Sequence, residues 1–86
     1  MPTISIFYGI IIKMYWDEHA PPHFHAEYAG AEAAINIQTL EITRGRLPKG
    51  AAMRVKEWAL QHRNELMEDW RLCEQLQAPN KIKPLE

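Results

Sequence analysis

Trp16-Asp-Glu-His-Ala-Pro-Pro-His-Phe-His-Ala-Glu-Tyr28 is the stretch whose reading decides the fold. Pro21-Pro22 ends any helix, and a proline ring pushes the residue before it toward extended geometry. From His23 to Tyr28 polar and apolar residues alternate, the period of a half-buried strand. Side chains of a strand point to alternate faces, so His23, His25 and Glu27 share one face and Phe24, Ala26 and Tyr28 the other. Groups that carry protons or bind metals are thereby gathered on one side of one strand.

Working outward, Ile10-Ile-Ile-Lys-Met-Tyr-Trp16 reads as the strand before it, with Ile10, Ile12, Met14 and Trp16 in the core and residues 17–22 as the connecting loop. An antiparallel pair sets opposed residues on one face, which brings Lys13 and Tyr15 beside His23, His25 and Glu27. Ala29-Gly30 reads as a tight turn. Pairing Tyr28 with Ala31 then sets Ala26 against Ala33, Phe24 against Ile35 and His23 against Asn36, a register in which apolar partners match. Past Ile37 the apolar phase slips from odd to even, which predicts a bend near Gln38-Thr39 and a short last strand over Leu40–Thr43. At the front, Met1 to Ser5 begins extended, Ile4 and Ile6 are strand formers, and Gly9 marks a turn or bulge.

Pro48 suits a first helical turn. From there to about Gln77, Val55, Trp58, Ala59, His62, Leu66, Trp70 and Cys73 recur at helical spacing. One helix of that length would run about 43 Å, whereas a domain of this size is about 30 Å across. The helix therefore overhangs toward a partner or bends near Asn64. Pro79 ends it. The expectation is an α+β fold: an antiparallel sheet of four to five strands packed on one long C-terminal helix. Residues 1–78 form a single domain and 79–86 an extended tail, whose Ile82 and Leu85 pack back or add to another chain. The uncovered sheet face holds Lys13, Tyr15, His23, His25, Glu27, Asn36 and Gln38.

Hydrophobic residues make up 47% of the chain and charged residues 24%, ordinary for a globular protein. The apolar run Gly9 to Ile12, closed by Lys13, is far short of a membrane span. A lone cysteine, Cys73, excludes an internal disulfide and reads as a small buried apolar residue. With no signal-peptide pattern, a cytoplasmic location is expected. The net charge of −1 is unevenly spread. Lys13 is the one base among residues 1–43, whereas Arg44, Arg46, Lys49, Arg54 and Lys56 follow within residues 44–56 with no acid between them. Such a patch either binds an anion or is a solvated face.

At His19-Ala-Pro-Pro-His-Phe-His-Ala-Glu-Tyr28 the chain resembles the domain of unknown function 4160 family of small bacterial proteins. The resemblance extends through Pro2–Ile10, Gly45-Arg-Leu-Pro48, Val55-Lys-Glu-Trp58, Glu65-Leu66, Trp70 and Ile82-Lys-Pro-Leu85. It implies a gene often adjacent to that of a second small protein, in an arrangement similar to a toxin–antitoxin pair. It brings no catalytic residues, so the chemistry is argued from the side chains.

Three readings follow. In the first, the chain is a ribonuclease-type toxin. Two of His19, His23 and His25 exchange protons with an RNA phosphodiester without a cofactor, and Lys13, Arg44, Arg46, Lys49 and Arg54 hold phosphate, joined by backbone N–H groups near Lys49–Ala51. Tyr15, Glu27 and Asn36 support them. In the second, His23 and His25 bind one divalent transition metal such as zinc, with His19 or Glu27 as third ligand. In the third, the chain is a non-catalytic module that binds a small partner protein encoded nearby, or a second copy of itself through the long helix. Each histidine also has a purely structural reading: His19 or His23 can pin the Pro21-Pro22 loop, and His62 follows the apolar helix stripe with Trp58 and Trp70.

Overall fold

The hairpin around Ala29-Gly30 anchors a five-stranded antiparallel sheet. The computed structural model describes residues 2–16 and 18–86; Met1, expected to begin the first strand, and Asp17 of the loop lie outside the described residues. The strands are β1 (Thr3–Phe7), β2 (Ile10–Lys13), β3 (His23–Tyr28), β4 (Ala31–Asn36) and β5 (Ile42–Gly45), each paired with the next in chain order. Ala29 and Gly30 both take positive φ, 49° and 85°, as a type I′ hairpin turn requires. The β3–β4 register is the one expected: Tyr28 faces Ala31, Ala26 faces Ala33, Phe24 faces Ile35 and His23 faces Asn36.

β5 lies farther along the chain than the expected Leu40–Thr43. Asn36 causes the shift, because its Oδ1 accepts the backbone N–H groups of Gln38 and Thr39 and turns the chain before it can pair again. The β4–β5 ladder opposes Ala34 to Arg44 and Ile35 to Ile42, so Thr43 is the extra residue of a bulge. Gly45 (φ +74°) follows, where a β-carbon would collide with the carbonyl oxygen of Glu32.

The long helix is two helices, α1 (Lys49–Gln61) and α2 (Arg63–Glu74), broken at His62 with φ −126° and ψ 24°. The break falls two residues before Asn64, and no proline or glycine causes it. The domain is 33 Å in its longest dimension, so an unbroken helix would leave the sheet. Bending brings Leu66, Trp70 and Cys73 of α2 into the same core as Ala51, Val55, Trp58 and Ala59 of α1. Trp58 is its centre, with Phe7 at 5.2 Å and Phe24 edge-on at 5.9 Å between ring centroids.

Trp16 is a second correction. The even positions Ile10, Ile12 and Met14 are fully buried, but Trp16 is exposed because β2 ends at Lys13. Its indole N–H donates to the Gln77 carbonyl. The residues after α2 pack back on the domain. Ile82 is buried and donates its N–H to the Ile4 carbonyl on edge strand β1, Leu85 packs against the core, and the Lys83 carbonyl accepts the Trp58 indole N–H at 2.8 Å. A buried indole N–H left without that acceptor would cost about 1–3 kcal/mol, so the last residues complete the core.

Candidate functional site

β3 carries His23 and His25 on the sheet face away from α1, with Lys13 of β2 opposed to His25. The loop between β2 and β3 folds back over this face, so the two rings are largely covered rather than pointing freely into solvent; their side chains are 16% and 13% exposed. The ring of Tyr15 meets His25 edge-on at 4.5 Å, and Trp70 of α2 approaches His23 at 5.2 Å. Between them these neighbours hold both imidazoles in place.

Both rings are aimed at one oxygen. Glu18 Oε1 lies 2.7 Å from His25 Nε2 and 3.1 Å from His23 Nε2, and the three donor atoms fall within 4.8 Å of one another. The other nitrogen of His23, Nδ1, is 2.8 Å from the carbonyl oxygen of Pro21, which can only accept, so Nδ1 carries a proton. In the neutral ring, Nε2 therefore presents a lone pair to a carboxylate oxygen. Two acceptors hold that approach only with positive charge between them, from a proton or a metal ion. On the far side of His25, Nδ1 faces Glu32 Oε2 at 3.6 Å. An outer nitrogen tied to a backbone carbonyl, as in His23, is the arrangement common in metal-bound histidines, whereas Glu32 is too far from His25 for a hydrogen bond.

The remaining expected residues are placed variously. His19 is exposed on the rim of a cleft of about 270 Å³, whose lining includes Glu18, His23, His25 and Arg44. Glu27 stays on the histidine face but pairs with Lys13 at 3.0 Å, and this hydrogen bond holds the Lys13 ammonium above its ordinary pKa. Burial raises the Tyr15 phenol in turn. Asn36 also lines the cleft, with its side-chain oxygen engaged in the β4 turn. Of the five bases in residues 44–56, Arg44 lines the cleft, while Arg54 stacks on the Tyr8 ring at 4.1 Å. Arg46 and Lys49 are exposed, Lys49 opening α1 after Pro48.

Glu18 is the residue that sequence reasoning did not select. Strand alternation assigns faces only within a strand, and Glu18 sits in the loop, five positions before His23. A carboxylate flanking the Pro-Pro turn was the one available signal.

A family model described as a domain of unknown function (DUF4160) matches residues 9–71, more than half of the chain, and spans the histidine–proline stretch. No curated protein and no solved structure matches. Among the described residues, no helix is long and apolar enough to cross a membrane.

Proposed function

Because the chain belongs to the DUF4160 family, whose description carries no activity, we propose from its side chains that it is a divalent transition-metal domain with Glu18, His23 and His25 as protein ligands. The observation that carries this reading is the convergence of two Nε2 atoms on one carboxylate oxygen, with the His23 Nδ1 proton committed to Pro21. Tetrahedral ligands about 2.0–2.1 Å from a zinc ion lie about 3.3–3.4 Å from one another, so Glu18 Oε1, at 3.1 and 2.7 Å from the two Nε2 atoms, would draw back by a few tenths of an ångström to admit the ion. Two histidines and one carboxylate leave positions for water or substrate, as hydrolytic zinc sites do. A metal bound there would acidify a coordinated water and polarise a bound oxygen. The Pro21 carbonyl orients the His23 ring, and Tyr15 packs edge-on against the His25 ring.

Metal analysis of protein purified without a histidine tag tests this reading. One equivalent of zinc or a similar ion is expected in the parent and none in the His23→Ala/His25→Ala variant. Failure of the parent to bind zinc, cobalt or manganese in the micromolar range overturns it.

The ribonuclease reading keeps one supporting observation, two imidazoles 5.2 Å apart in a cleft with an arginine. Against it, both rings close on Glu18, where an acid–base pair would flank a phosphodiester. RNA cleavage that persists in excess chelator and is lost in His23→Ala and His25→Ala would favour it over the metal domain.

A further inference from the structure

The row of side chains across the sheet at the candidate centre runs Lys13, His25, Ala34, Arg44, read from the paired registers of β2 to β5. Adjacent strands stand about 4.8 Å apart, so the backbones carrying His25 and Arg44 are separated by about 9.6 Å, with only the Ala34 methyl between them. The cleft lies over that methyl, and Ala34, Thr43 and Arg44 line it opposite the histidines. Its shape follows from sequence: a small residue at 34 leaves the floor low, and the bulge at Thr43 turns the β5 edge. Arg44 makes no ion pair among the described residues, although Glu27, Glu18 and Glu32 on the same face are all engaged.

We propose that this cleft takes a phosphoryl oxyanion, one oxygen directed to the metal held by Glu18, His23 and His25 and the others to the Arg44 guanidinium. The inference rests on the metal reading and extends it to a class of ligand. A planar guanidinium offers paired N–H donors matched to two oxygens of a phosphate. A divalent ion and Arg44 set against the Glu18 carboxylate leave the cleft walls with about two positive charges, which a phosphate dianion offsets and a single carboxylate does not. The Lys13–Glu27 pair is neutral as a unit, and Glu32 lies behind the His25 ring on its outer nitrogen.

The test is cobalt(II) loading of the untagged full chain, followed by titration with inorganic phosphate, a phosphate monoester or acetate while the visible cobalt bands are recorded. Phosphate or the monoester should shift the bands saturably, and acetate should do so at least about tenfold more weakly. The monoester binding more tightly than inorganic phosphate would identify an esterified ligand; the reverse order would identify the free ion. Arg44→Met should weaken phosphate by about tenfold or more while leaving cobalt affinity unchanged, and Arg44→Lys should recover part of the loss. Ala34→Leu, which fills the floor, should block phosphate in the same way, with circular dichroism confirming that each variant is folded. Cobalt binding without a phosphate-dependent shift, or an undiminished shift in Arg44→Met, overturns the oxyanion site and leaves the metal reading standing. No cobalt binding by the parent overturns both.

Discussion

Glu18 and Asp69 are both drawn out of solvent, and the contrast between them separates a site from a strut. Glu18 sits in a loop over the sheet, part-exposed, with two imidazole nitrogens directed at one oxygen and its cleft open beyond. Asp69 sits on the inner face of α2, 1% exposed, where Oδ1 accepts the Asn80 N–H at 2.8 Å and Oδ2 has no partner among the described residues. Burial pushes the Asp69 carboxyl up to about 6, against the opposing pull of the Asn80 hydrogen bond, and pushes the Cys73 thiol up to about 11. Several polar groups converging on one point make a place for a ligand. A single buried carboxylate tied to the chain beyond its own helix holds that chain in place.

The sharpest break of this comparison exchanges the readouts. Glu18→Gln and His23→Ala/His25→Ala should lower metal affinity by more than about a hundredfold, given that even residues supporting a ligand are worth tenfold to a hundredfold. Their melting temperatures in chelator should stay close to the parent's. A folded parent and variants of equal affinity by calorimetry would place Glu18 with Asp69, as structure only.

Next in size is the strut itself. Ile82→Ala removes a fully packed side chain from the segment that Asp69 and Ile4 hold, and should cost about 2–4 kcal/mol in urea unfolding. Metal affinity of the folded variant should be unchanged.

The pH dependence comes third. The folded chain holds the Asp69 proton more tightly than the unfolded chain, whose carboxyl titrates near 3.8. Its contribution to stability is present in full below about pH 4 and is lost as the pH rises through about 6. Asp69→Asn keeps the acceptor for Asn80 and removes this titration. The stability of the variant relative to the parent should therefore increase between pH 4 and pH 7, by about 2–3 kcal/mol. A difference that stays flat over that range would show that Asp69 does not titrate there.

The smallest effect is at the hairpin. Ala29 occupies left-handed backbone at φ 49°, which costs an alanine about 1–2 kcal/mol, while glycine returns part of that gain as entropy of the unfolded chain. Ala29→Gly should stabilise by about 0.5 kcal/mol, visible as a small rise in the melting temperature.

Alternation of apolar and polar residues was enough to place β3 and β4, the start of β2 (though not its end at Lys13), the company of Lys13 and Tyr15 with His25, and the register through Phe24 and Ile35. These are period-two and turn signals, encoded within a few residues and enforced by one buried face. The stripe from Val55 to Cys73 likewise named most of the apolar residues that α1 and α2 bury, but it missed Ala51 and the buried Asp69 and included the half-buried His62. Only the tertiary structure decided where that stripe breaks. His62 carries no helix-breaking chemistry, and the break answers to the width of the sheet beneath it. It also decided that Trp16 leaves the core for Gln77, that the last residues close over Trp58 and Ile4, and that Glu18 joins the histidines. Each of those depends on segments distant in the chain meeting across a packed core, and short-range periodicity carries no information about such meetings.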